Sequence, residues 1–195
     1  MSTDYPNVEV ASGLPRHSYA LRVLHWLIAV LLIIALIGGF TLGILGHEQL
    51  AELVGADMAD TAYMAHKTLG ISLLLLMLVR LMVRLFQRTP EYAIALTGMQ
   101  RVLGALVHFL LYVLVIAMPV IGWLGTAAAD KPVNFFTWEL PGFIGKDPAL
   151  AELLFQAHMA VGLAIAALIV VHIAAGLYHY RVRQDWVMKR ISLFR

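Results

Sequence analysis

The sequence predicts an all-α protein built as an integral membrane four-helix bundle, and three observations carry that reading. Of 195 residues, 61% are hydrophobic and only 13% charged, whereas soluble chains carry about 25% charged residues. Four apolar stretches are each long enough to cross about 30 Å of hydrocarbon. No strand-like alternation of apolar and polar residues competes with them. A mean hydropathy of +0.82 fits a chain whose solvent is lipid. Four spans use most of the length, so residues 1–195 read as a single domain.

Helix 1 is expected over about 19–40, stopping near Gly38, Gly39 and Gly43. The polar residues 1–18 and the length of the apolar run after them argue against a cleaved secretory signal, so this run reads as a retained first span. Helix 2 is expected over about 63–86, with Pro90 as the stop behind it. Helix 3 covers about 102–124 and carries Pro119, which predicts a kink near its end. Helix 4 covers about 153–180. Between helices 3 and 4 the connection 126–150 carries Phe135, Phe136, Trp138, Pro141 and Phe143. That composition predicts an interfacial segment anchored by aromatics at headgroup level. A cover over a buried site is the alternative.

Lysine and arginine set the orientation. With cytoplasmic termini, Arg16, Arg22, Arg80, Arg84, Arg88, Arg101, Arg181, Arg183, Lys189, Arg190 and Arg195 fall inside, and Lys67, Lys131 and Lys146 outside. The positive-inside rule therefore places both termini in the cytoplasm. The net charge is only +2 and no basic run suits nucleic acid, so lipid is the predicted surface partner. Cysteine is absent, which excludes disulfides, iron–sulfur clusters, zinc–thiolate sites and covalently attached c-type haem.

Five of eight histidines lie within or at the ends of the expected spans: His25, His66, His108, His158 and His172. Ionisable groups in lipid are costly and are usually functional or paired. Depth sorts them into an outer pair, His66 and His158, and an inner group of His25, His108 and His172. His158 and His172 are 14 residues apart, close to four turns, so they share a face and stand roughly 21 Å apart along the axis. One ligand per leaflet on one wall of a bundle is what two stacked haems require. Gly70, Gly162 and Gly176 each follow a histidine by four residues, on the same face, where a flat macrocycle favours a missing side chain. Arg80 lies on the His66 face at inner depth, suited to a haem propionate, with Arg84 one turn closer to water. No Asp or Glu lies in the apolar core of a helix, which disfavours di-iron or proton-transporter chemistry. The inner partner of His172 stays open between His25 and His108.

These residues resemble the bacterial cytochrome b561 family from about Tyr19 onward. The resemblance rests on LHW at 24–26, HKTLGISLLLLMLVRLMVRL at 66–85, LVHFLLYVLVIAMPVIGW at 106–123 and HMAVGLAIAALIVVHIAAGLYHY at 158–180. It implies a four-helix inner-membrane protein binding two haem b groups, with ligands at His25, His66, His158 and His172. It selects His25 over His108 and leaves helix 3 without a ligand. His108 then falls to a hydrogen-bonded structural role or to a quinone or proton site. The resemblance also implies an electron path from an outer-face donor to membrane quinone. The family includes a superoxide:ubiquinone oxidoreductase, and Lys67 beside His66 offers positive potential to an anion. The alternative is a non-catalytic cytochrome b subunit linking a partner dehydrogenase to the quinone pool.

Overall fold

The computed structural model describes residues 16–194. Residues 1–15, on which the signal-peptide argument mostly rests, and Arg195 lie outside the described residues. Helix α1 spans Tyr19–Val54, α2 Ala56–Phe86, α3 Gly98–Ala128 and α4 Pro148–Tyr178. All four are long and apolar enough to cross a membrane. A two-stranded antiparallel hairpin, β1 Val133–Phe135 and β2 Trp138–Leu140, joins α3 to α4 in the register Val133↔Leu140. After α4 the chain makes a π-helical turn over His179–Arg183 and a 3-10 turn over Val187–Arg190.

The helix ends follow from local chemistry. Ser18 caps α1 by accepting from the Leu21 N–H at 3.3 Å. Thr97 and Gln100 close a reciprocal capping box at α3. Asp147 caps α4, with Pro148 at its first position, where the missing N–H costs nothing. Gly55, at φ 89°, is the single residue between α1 and α2.

Every helix runs beyond its expected bounds at one end or both, while α4 ends at Tyr178 rather than near 180. A 31-residue helix is roughly 46 Å long, while hydropathy registers only the stretch crossing the hydrocarbon. The additional turns mix polar and apolar residues, and in α1 and α2 part of their apolar face packs separately: Leu42, Leu50 and Ala59 form a small core joining the ends of the two helices. Helix α1 does not stop at Gly38, Gly39 and Gly43 but breaks at Gly46, where φ is 68°. Gly39 and Gly43 lie within the helix and are points of close approach: a Cβ there would collide with His66 and with Met159.

The connection 126–150 also differs from expectation. Its ends belong to α3 and α4, and its middle is the hairpin. Strands of three residues carry no period that a sequence can show. They are held by α2: the Lys67 ammonium donates to the Pro132 carbonyl and to Asn134 Oδ1, both at 2.8 Å, and the Phe136 N–H donates to Thr68 Oγ1. Val133 packs with Ile71 and Ala127 beneath it. Phe136, Trp138 and Phe143 stay exposed, in keeping with aromatic anchors at a headgroup layer.

The main core is a mid-bundle cluster of Ile28, Leu32, Ala35, Leu36, Leu73, Met77, Val115 and Ile165. Much of the remaining apolar surface faces outward, with Val170 68% and Ile37 64% exposed, as fits a chain solvated by lipid. Residues 17 and 190 are hydrogen-bonded, so the N-terminus of α1 and the segment after α4 share one end. That arginine-rich end is the inner end of the orientation argued from charge.

Candidate functional site

The bundle brings four imidazoles together as two couples at different levels. His66 of α2 faces His158 of α4 with ring centres 6.2 Å apart. His25 of α1 faces His172 of α4 at 6.1 Å. A metal–imidazole bond is about 2.0–2.1 Å and the ring centre lies about 1.1 Å behind its nitrogen, so two imidazoles clasping one metal have centres about 6.3 Å apart. Both couples stand at that spacing. His108 of α3 also approaches His172, but at 5.1 Å, too close for an atom between them. Its Nδ1–H donates to the carbonyl of Gly104, one turn back on its own helix, at 2.6 Å. His108 is thus a satisfied histidine beside the inner couple.

His158 carries the orientation expected of a ligand. Its Nδ1–H donates to the Met118 carbonyl of α3 at 3.1 Å, which directs Nε2 into the bundle. Gly122, one turn beyond Met118, lets the ring lie flat against α3: an added Cβ would sit 3.0 Å from His158 Cε1. On the other side of the couple, Gly39 of α1 does the same for His66, where a Cβ would sit 2.8 Å from Cε1. Both glycines escaped the sequence reading, which sought small residues on the histidine's own helix and not on the helix facing it. The spacing Gly39–Gly43 on α1 was the available signal.

Space accompanies the outer couple. A narrow cleft is lined by Leu32, Leu36, His66, Gly70, Val115 and His158, among others. A second adjoins it, with Gly39, Phe40, His158 and Gly162 in its walls. Gly162 lines the second cleft where a Cβ would meet Met118 Cε at 3.2 Å and the Phe40 ring at 3.7 Å, whereas Gly70 borders open room beside the outer histidines. Gly176 does not do the same for His172, because its bare surface receives Met188, whose Sδ would lie 3.0 Å from a Cβ there.

The inner end carries unpaired cationic donors. Arg80 gives Nη1–H to the Leu21 carbonyl at 2.6 Å and lies over the Tyr112 ring at 5.9 Å. Among the described residues, Arg84 Nη1, Arg22 Nε and Arg190 Nε are buried without hydrogen-bond partners. The sequence marks Arg84 as a site candidate but Arg22 and Arg190 only as inner-side charges, since nothing in the linear order shows that the C-terminal segment folds back. Lys67 is where the sequence suggested, beside His66, yet its ammonium is held by the hairpin.

These features fit haem b. Each imidazole couple has the spacing of an axial pair, the outer one borders an apolar cleft, and the inner end offers unsatisfied guanidinium donors suited to carboxylates. Among the described residues no group of three or more His, Cys, Asp or Glu forms a polyhedral metal site, so a porphyrin suits these histidines better than a bare ion.

A family model described as prokaryotic cytochrome b561 matches residues 16–192. Cytochrome b561 homolog 2 of Escherichia coli (strain K12) is 25% identical over 181 residues, covering 90% of each chain. The probable superoxide oxidase CybB of Yersinia pestis is 26% identical over 168 residues, covering 86% of this chain and 90% of its own.

Proposed function

The chain belongs to the prokaryotic cytochrome b561 family, and from that premise we propose that it holds two haem b groups and passes electrons from an outer-face donor to membrane quinone. Membership makes it a multi-pass bacterial membrane protein that binds haem b and serves electron transfer. The number of haems, the ligands, the inner membrane, the cytoplasmic termini and the quinone are the proposal's own.

One observation carries the reading: two imidazole couples, 6.2 and 6.1 Å between ring centres, at two levels of one bundle. His66 and His158 would hold the outer iron, and His25 and His172 the inner one. The 5.1 Å approach of His108 and its bond to Gly104 favour His25 as the partner of His172. When bound, haem b would supply one-electron exchange at iron, and the four histidines would be the residues that hold it. The protein's part is positional. Met118 fixes the tautomer and aim of His158. Apolar walls from Leu32, Leu36 and Val115 keep water from the outer site. Arg84 and Arg80 give the inner end positive potential for propionates.

Superoxide is the proposed donor, supported by the similarity to the probable superoxide oxidase. Stopped-flow spectroscopy of the purified protein with superoxide and a quinone analogue tests this function. The expected result is fast haem reduction followed by quinone-dependent reoxidation. Reduction by a partner dehydrogenase but never by superoxide would identify an accessory cytochrome subunit instead.

A further inference from the structure

The segment after α4 folds back across the inner mouth of the bundle. The Arg16 guanidinium donates to the carbonyls of Lys189, Ser192 and Phe194. Arg22 Nη1–H donates to the Ser192 carbonyl at 2.8 Å, and the Trp26 indole N–H to Ile191 at 3.0 Å. The His17 amide donates to the Arg190 carbonyl at 3.1 Å. Arg190 reaches the loop before α3, donating to Pro90 and stacking over the Tyr92 ring at 4.0 Å. The strap thus carries a guanidinium, 8% exposed, into a place already occupied by cations.

Several observations gather these cations. Arg80 bonds Leu21, the neighbour of Arg22, and Arg84 lies one turn beyond Arg80. The His17 imidazole is pushed down to about 4, first by burial and then by Arg190, Arg84, Arg80 and His108, while Arg22 joins the same segment through its hydrogen bond to Ser192, two residues after Arg190. Among the described residues the buried acid is Asp185, and it is already taken by His179 at 2.6 Å and Arg183 at 3.5 Å. Arg22 Nε, Arg84 Nη1 and Arg190 Nε remain buried with no acceptor. An unmatched buried charged donor is costly unless something neutralises it.

We propose that Arg22, Arg84 and Arg190 form a seat for an oxyanion at the inner mouth, closed from outside by the strap at residues 187–194. The chemistry is a carboxylate or phosphate taking charge-assisted hydrogen bonds from guanidinium groups. Two sources share it: the propionates of the inner haem, which rests on the two-haem reading, and the phosphate of an anionic phospholipid in the cytoplasmic leaflet.

The test uses the holoprotein in nanodiscs of phosphatidylcholine alone or with phosphatidylglycerol. Redox titration and hydrogen exchange at the Ile191 and Ser192 amides, which bond to Met188, are read together. If propionates fill the seat, Arg84→Gln lowers the electron affinity of the inner haem about tenfold, a midpoint 59 mV lower for one electron, and leaves the outer haem unmoved. Arg22→Gln and Arg190→Gln act alike, Arg190→Lys recovers most of the shift, and lipid charge has no effect. If lipid phosphate fills it, the potentials stay and strap protection rises with phosphatidylglycerol in the wild type but not in Arg84→Gln. Two haems with unmoved potentials and lipid-independent exchange overturn the seat while leaving the haem reading intact. A protein with fewer than two haems overturns that reading first.

Discussion

Gly39→Ala separates a histidine bound to iron from one that merely packs. The added Cβ would lie 2.8 Å from His66 Cε1, whereas carbon atoms rest at about 3.5–4.0 Å. The ring must therefore retreat by about 0.7 Å or more, or α1 must move. A free imidazole at the end of its side chain turns aside at little cost, so fold stability should change by less than about 1 kcal/mol. A ligating one has no such freedom, since metal–ligand distances tolerate only about 0.2 Å. Disturbing the support of a ligand typically costs about 10–100-fold in metal affinity, about 1.4–2.8 kcal/mol. Gly38→Ala is the control, because a Cβ there meets nothing within 4 Å. The assay is haem stoichiometry by pyridine haemochrome, with a thermal melt beside it. Gly39→Ala should lose outer haem with a near-normal melt, and Gly38→Ala should lose neither. Equal haem retention in the two variants would refute the placement of His66 on iron.

Three further outcomes follow from the same geometry. His108→Ala should keep haem content unchanged, because its ring stands at 5.1 Å from His172 and its Nδ1–H is already used by Gly104; loss of inner haem in its spectrum would make it the ligand. Lys67→Gln removes two hydrogen bonds to residues 132–134, so amides of the hairpin should exchange roughly tenfold faster or more by mass spectrometry, given about 1.5–3 kcal/mol for a bond from a charged group. An unchanged hairpin combined with slower reduction by superoxide would instead make Lys67 an electrostatic guide. His17 is held neutral in the fold, with its pKa lowered to about 4 from 6.5. The unfolded chain binds that proton first, so the contribution of His17 is intact above pH 6.5 and is lost as pH falls from 6.5 towards 4. His17→Gln should flatten that part of the stability curve in matched thermal melts, and a curve parallel to wild type would contradict the assignment.

The sequence was legible where one-dimensional signals are strong. Apolar runs located the four crossings, and depth along alternating helices separated the levels of His66 and His158 from those of His25, His108 and His172. Depth gives height but not azimuth, so it could not choose between His25 and His108. That choice turns on 6.1 against 5.1 Å, which depends on how α1 and α3 pack around α4. The junction of α1 and α2 was illegible because the turns there mix polar and apolar residues and are held by Leu42, Leu50 and Ala59 beyond a kink at Gly46. The hairpin was illegible because Lys67 and Thr68 hold it from more than sixty residues away. Gly176 shows the limit of pattern reading. It repeats the spacing of Gly70 and Gly162, but its partner is Met188 from a segment that only the fold brings near.

The account stands on two imidazole couples that each clasp one iron, and the ratio of haem to polypeptide in fully loaded protein measures this most directly. Two haem b per chain, with His158→Ala reduced to one and still reducible, is the result the geometry requires. One haem in the wild type, or two in His158→Ala, would contradict it.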